Sequence, residues 1–222
     1  MPREPFGTSQ QDRSVVSQYD AWARIYDWFW RRYMNQTLPM ARRTAAVRSG
    51  EQVLDLACGT GELLSRISVE TPGAALVGID VAPQMVRRAR EKLGGGADVR
   101  QGDAHDLPFA ENRFDVVVCA NTFHYFAHPA VVLSEVRRVL TPNGRFVMLD
   151  WCRDYWSCRL MDAFLQIADP AHHACYTLGA LTTLLHDTGF EVQTAGRYRF
   201  DLVWGMMVTE AVPTPSEFEN ES

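Results

Sequence analysis

Short apolar runs alternate along this chain with stretches in which apolar residues recur every three or four positions. Ala75–Asp80, Val99–Ala104 and Arg113–Asn121 each read as a strand, the first ending in an acid, and Leu140–Asp150 reads as a turn and a fifth strand. The earliest run, Val53–Leu56, is followed by small residues and then by a helical pattern. Helices are expected over 12–36, over 40–49, from Gln84 to Leu93 with Pro83 in the first turn, and from Pro129 to Leu140. Residues 155–188 read as mostly helical with a break near Asp169-Pro170, and Glu191–Arg199 and Leu202–Val208 as two closing strands. Strands alternating with helices imply a parallel sheet with helices on both faces. The expected fold is therefore α/β, Rossmann-like and doubly wound, mostly parallel, with an antiparallel hairpin at its C-terminal end.

The bend after the first run carries the most chemistry. Asp55-Leu56-Ala57-Cys58-Gly59-Thr60-Gly61-Glu62 places an acid at the strand end and two glycines before a helix start. Glycine permits positive φ and lets a ligand come close to the backbone. A helix start offers unpaired N–H groups. A dinucleotide site would need a third glycine where Leu64 stands, and Glu62 would repel a pyrophosphate. Asp55 suits a ligand that carries an ammonium instead. Asp80 follows Gly61 by 19 residues, close to the spacing at which an acid reaches a ribose.

Asp55 to Gly61 closely resembles the D-x-x-x-G-x-G motif of class I S-adenosylmethionine-dependent methyltransferases, and the later motifs occur in that family's order over roughly residues 50–150. The resemblance implies S-adenosylmethionine as cofactor and its demethylated counterpart as product. It implies a cofactor pocket with Asp55, Ala57, Gly59 and Gly61 around the amino-acid end, and Asp80 on the ribose hydroxyls. Met85, Asp103, Ala104 and Asn121 complete that pocket, with Asp103 and Ala104 at the adenine. Tyr19-Asp20-Ala21-Trp22-Ala23-Arg24-Ile25-Tyr26-Asp27 resembles the element that precedes the core in ubiquinone/menaquinone-biosynthesis methyltransferases, which marks Tyr19 and Tyr26 as lid residues. Three regions follow: a helical lid over 1–40, the cofactor-binding domain over 41–210, and a disordered acidic tail over 211–222.

Composition narrows the function. Hydrophobic residues make up 46% of 222 positions, as in a globular chain with a sizeable core. A net charge of −5 argues against a nucleic-acid binder. Residues 1–50 are nonetheless net positive, and Trp28, Phe29 and Trp30 beside Arg31 and Arg32 permit a second reading of that helix, peripheral contact with a membrane. Five cysteines without C-x-x-C, and no apolar leader, suit a reducing, cytoplasmic setting.

His124 follows the fourth strand, where a general base could stand, although the position also suits a structural histidine. His172, His173 and Cys175 hint at a metal, but adjacent histidines would point to different helix faces, so no metal is expected. Trp151, Arg153, Tyr155, Trp156, Met161 and Phe164 are expected to wall the acceptor pocket. The expected activity is methyl transfer to a small quinone-like, lipid-like or natural-product acceptor. The alternatives are a catalytically silent binding protein with this fold, an arsenite methyltransferase using Cys152, Cys158 and Cys175, and a nicotinamide oxidoreductase, which Leu64 disfavours.

Overall fold

A computed structural model describes residues 33–199 and 204–215. Strands β1 (Gln52–Leu56), β2 (Ala75–Asp80), β3 (Asp98–Gln101), β4 (Phe114–Ala120), β5 (Leu140–Trp151), β6 (Phe190–Arg199) and β7 (Gly205–Pro213) form one sheet. Its order is β3-β2-β1-β4-β5-β7-β6. The first five strands run parallel, and β7 pairs antiparallel with both β5 and β6. The chain reverses its winding between β1 and β4, where an open α/β sheet leaves a crevice at the carboxyl ends of its strands.

Helix α1 runs over 33–45, followed by α2 (Glu62–Glu70), α3 (Pro83–Leu93), α4 (Pro129–Val139), α5 (Trp156–Ala168) and α6 (Leu178–Asp187). Proline stands at the first turn of α3 and of α4, where its missing N–H costs nothing. Thr177 caps α6 by accepting from the Ala180 N–H at 3.1 Å. Two apolar clusters fill the two faces of the sheet. Leu54, Leu56, Phe114, Val117 and Phe146 anchor one, and Val53, Leu64, Val116, Val118 and Val147 the other. Strand residues therefore point alternately into opposite cores, and β1 and β4 read as continuous apolar runs.

Three boundaries differ from the sequence reading. The expected break between 36 and 40 is absent: α1 passes through Pro39, because Leu38, Ala41 and Ala45 form one fully buried stripe that holds the helix together. It stops at Ala46, whose φ is +43°. The last strand is Gly205–Pro213 rather than Leu202–Val208. Acidic and proline residues made its second half look like tail, yet Ala211 pairs with both Phe146 and Val192. The boundary of the tail moves accordingly from 211 to beyond Pro213, and residues 216–222 lie outside the described residues.

Close approach demands glycine at two places. A Cβ on Gly78 would lie 2.9 Å from both the Cys58 sulfur and Leu64 Cδ1, so Gly78 lets the first loop and α2 settle on β2. Gly78→Ala is expected to cost about 1–3 kcal/mol, the usual penalty for overpacking, read as a lower urea midpoint at unchanged slope. On Gly144 a Cβ would meet Leu140 Cδ2 at 2.9 Å and the Phe114 carbonyl oxygen at 3.1 Å, beside the register shift between β4 and β5.

Candidate active site

The loop after β1 has an unusual backbone. Ala57, Gly59 and Gly61 all have positive φ, at 57°, 53° and 75°. The two glycines do different work. Gly61 is the α2 N-cap residue in left-handed conformation, and its Cα lies so close to α3 that a Cβ would stand 3.1 Å from Ala89 Cβ and Leu93 Cδ1. A Cβ on Gly59 would meet nothing within 4 Å, because that face opens into a cleft. Ala57 holds the left-handed form without glycine's freedom, at a cost of about 1–2 kcal/mol, a strain typical of functional loops.

Asp80, at the end of β2, holds this loop. Its Oδ2 accepts the Gly59 N–H at 2.8 Å and its Oδ1 the Ala82 N–H at 2.9 Å. Parallel register explains the reach: Leu56 pairs with Ile79, so Asp80 lies one residue beyond the last β1 pairing. Asp80 also lines the cleft.

Asp55, pairing with Gly78, is 3% exposed, and no donor bonds its carboxylate among the described residues. Burial, and then the nearby Asp80 charge, push its carboxyl up to about 8. It lines a recess with Met34, Leu38, Gly59 and Leu63. Glu62 at the first turn of α2 is held below the usual carboxylate range: burial alone would raise it, but the Lys92 and Arg66 cations outweigh that.

At the far end stand Asp103 and His105. Asp103 Oδ1 accepts the His105 N–H at 2.9 Å and lies 2.7 Å from His105 Nδ1, a pairing that lowers the carboxyl. The His105 ring meets Phe126 edge-on at 6.0 Å. Between these ends runs a cleft lined by Gly59, Asp80, Met85, Asp103, Ala104 and Phe126, enclosing about 790 Å³ with its open mouth. Ala57, Gly59 and Thr122 line both this cleft and the Asp55 recess, which makes them one elongated depression with a carboxylate at each end and one in the middle.

Of the residues marked from the sequence, Asp55, Ala57, Gly59, Asp80, Met85, Asp103 and Ala104 line this depression. Gly61 supports it from behind. Tyr19 and Tyr26 lie outside the described residues. Asn121 has a φ of +61°, and its amide serves α1: Oδ1 accepts from Tyr33 Oη at 2.7 Å and Nδ2 donates to Thr37 Oγ1 at 3.1 Å. Trp151 Nε1 donates to the same Tyr33 hydroxyl at 2.7 Å. These bonds fasten α1 across the carboxyl ends of β4 and β5. Sequence reasoning missed Thr122, His105, Tyr125 and Phe126 as lining residues. For the last three the only signal was a place in the loop after β3 or β4.

His124 is 3% exposed and does not line the cleft. Its Nδ1 lies 2.7 Å from Asp150 Oδ1, its backbone N–H donates to Asp150 Oδ2 at 2.9 Å, and its ring stacks on Trp151 at 4.6 Å. Nε2 is buried without a partner among the described residues. A second dyad lies close by: His172 Nε2 stands 2.7 Å from Asp162 Oδ1, with the two histidine rings 5.4 Å apart. Asp162, His172 and Cys175 offer ligand atoms within 4.8 Å of one another. The segment around His172 and His173 is a loop, not the helix the sequence reading assumed. Asp162 already accepts the Cys175 N–H at 2.8 Å and pairs with Arg153 Nε at 3.3 Å, so its charge is compensated within the protein.

The expected acceptor wall does not assemble. Trp156 is 64% and Phe164 62% exposed, because both lie on the outer side of α5. All five cysteines are free and buried. Burial raises the Cys152, Cys158 and Cys175 thiols, so they are not the thiolates a metalloid would require.

Residues 54–148 match the family model described as a methyltransferase domain. A demethylmenaquinone methyltransferase of Deinococcus radiodurans is 37% identical over 145 residues, 62% of this chain and 57% of that protein. A ubiquinone/menaquinone biosynthesis C-methyltransferase of Desulfotalea psychrophila is 35% identical over 67% of this chain and 62% of that protein. The chain thus spans less than two thirds of the length of these relatives. A chain in the complex of the Haloferax volcanii Trm112 methyltransferase activator superposes with a TM-score of 0.80, covering 91% of this chain and 99% of that one at 22% identity.

Proposed function

We propose, for a chain whose residues 54–148 belong to the methyltransferase domain family, that it transfers a methyl group from S-adenosylmethionine to a small acceptor, quinone-like or lipid-like. The observation that carries this reading is the elongated depression with three separate carboxylates. The cofactor has three polar stations in the same order: an ammonium, a ribose diol and an adenine amine. Asp55 answers the ammonium in its recess. Asp80, which accepts the Gly59 and Ala82 amides and lines the cleft, faces the ribose hydroxyls. Asp103 takes the adenine amine, with Met85, Ala104 and Phe126 against the base. Gly59 leaves open the space in which the cofactor's backbone runs.

The cofactor supplies an electrophilic methyl on a sulfonium. The protein's part is alignment and exclusion of water. Asp80 fixes the Gly59 amide and so the loop against which the donor lies. The Tyr33–Asn121–Trp151 bonds hold α1 over the recess, where Met34 and Leu38 keep water from it. A site whose cation loses charge as methyl departs gains from such dryness.

His124 we assign to organising the loop after β4, not to taking a proton, since its free nitrogen is sealed from the cleft. His124→Ala is expected to lower stability by about 2–4 kcal/mol, leaving the buried Asp150 oxygen without its partner, while turnover per folded molecule stays within about tenfold. A loss of roughly 10²–10⁴-fold in turnover at unchanged stability would instead make it a base. The reading as a whole is tested by calorimetric titration with S-adenosylmethionine and with NAD(H), followed by a screen of quinone and lipid acceptors with labelled methyl donor. Saturation by the nicotinamide nucleotide alone would overturn it. Saturation by the methyl donor with no acceptor turned over would favour a silent binding protein.

The finer partner assignments are part of the same proposal: no nucleic acid, and peripheral contact with a membrane. No helix among the described residues is long and apolar enough to cross one.

A further inference from the structure

Helix α5 carries an apolar face that nothing described covers. Trp156, Leu160, Phe164 and Ile167 are 64, 64, 62 and 90% exposed. They follow one another at four, four and three residues, which sets them in a single stripe along about 16 Å of helix. The opposite side of α5 is buried through Cys158 and Asp162, with Met161 and Leu165 packed against the same core cluster as Tyr33 and Met34 of α1. Such a stripe is unusual on a solvent-facing helix, where single exposed apolar residues are common but continuous rows are not.

The charges around the stripe select its occupant. Arg153 and Arg159 flank the first turn of α5, Arg197 lies nearby on β6, and Arg199 stands over the Tyr155 ring at 5.0 Å. Asp154 pairs with Arg197, and buried Asp162 with Arg153 and His172, so Arg159 and Arg199 are the rim cations that no acid pairs among the described residues. No residue of α5 other than Asp162 is acidic. This basic rim occurs on a chain whose net charge is −5. An aromatic and aliphatic row bordered by arginines is the pattern that lies in the headgroup region of an anionic bilayer.

We propose that the exposed face of α5 docks on an anionic membrane surface, holding the carboxyl edge of the sheet against the layer in which a lipid-soluble acceptor resides. The inference rests on the lipid-like acceptor of the proposed function, but its test uses neither cofactor nor acceptor. The full chain is sedimented with vesicles of phosphatidylcholine, alone or mixed with phosphatidylglycerol, alongside a Leu160→Glu/Phe164→Glu variant and an Arg159→Ala variant. The expected result is binding that requires the anionic lipid and weakens with salt. The double variant is expected to lose at least about tenfold, since two apolar side chains leave the acyl boundary, and Arg159→Ala to lose a few-fold. Circular dichroism and thermal melting check that both variants remain folded. Absence of vesicle binding by the unaltered chain, or equal binding by the double variant, would overturn the assignment. So would a dimer in light scattering that the double variant dissolves, because the face would then belong to a second copy. A chain that saturates with the methyl donor yet ignores vesicles would sink this inference and leave the proposed function standing.

Discussion

Asp80→Ala is expected to weaken S-adenosylmethionine binding by at least about 1.5–3 kcal/mol, the scale of hydrogen bonds to a charged group, or roughly 10- to 150-fold in dissociation constant. The loss has two sources. The ribose hydroxyls lose their acceptor, and the Gly59 and Ala82 amides lose theirs. Freed of Asp80, the Gly59 amide can rotate away from the geometry the loop needs. Asp80→Asn separates the two sources: it keeps one acceptor oxygen but presents an N–H₂ to the other amide, so its loss should fall between the unaltered chain and the alanine variant. The measurement is calorimetric. An alanine variant that binds as tightly as the unaltered chain would remove Asp80 from the site.

Asp55 governs pH dependence. Its folded-state carboxyl is raised to about 8 by burial and by the Asp80 charge, against 3.8 for an ordinary aspartate. The contribution of such a group to stability is complete below about pH 4 and is lost as pH rises through about 8. The ligand-free chain should therefore lose stability over that window, and Asp55→Asn should not show that slope. A bound ammonium requires the carboxylate, so below about pH 8 binding must expel a proton. Affinity should then rise about tenfold per pH unit from roughly 6 towards 8 and fall again above, where the ligand's own ammonium loses its proton. Asp55→Asn should flatten this profile, melt at higher temperature than the unaltered chain at pH 8 without ligand, and bind more weakly there. Removing the Asp80 charge should move the midpoint of the profile downward, since that charge is the second cause of the shift. A variant with the same slope as the unaltered chain would place the ammonium elsewhere.

Much of this site is written in the sequence because it lies on regular elements. β2 is bounded in the structure as its apolar run predicts, Ala75–Asp80. β1, β4 and the glycine-bearing loop follow from their patterns, and the order of the acids along the chain becomes their order along the cleft. Which acid serves the loop was not legible. Asp55 is the nearer of the two to Gly59 in sequence. Parallel register places Asp80 one step beyond Leu56, and that single residue decides the matter. The different tasks of Gly59 and Gly61 depend on how closely α3 approaches, which no local pattern encodes.

The region after β5 was the least legible. Its aromatic residues suggested a pocket wall, but helical periodicity does not say which side of a helix faces the core when both sides are apolar. In α5 the buried side is built from Cys158 and Asp162, and Trp156 and Phe164 face outward. Asp162 is buried because His172, the Cys175 amide and Arg153 satisfy it, partners that only the folded loop after α5 brings together. For His124 the place after β4 left a base and a structural role both open, and only the distances to Asp150 show its backbone and ring engaged.

The most direct test is a titration of the folded chain with S-adenosylmethionine at pH 6 and pH 8, each in buffers of different ionisation enthalpy. One saturable site per chain, tighter at the higher pH and releasing a proton at the lower, is the predicted result. No saturation at either pH, or saturation without proton release and without pH dependence, would contradict a cofactor amine held by Asp55.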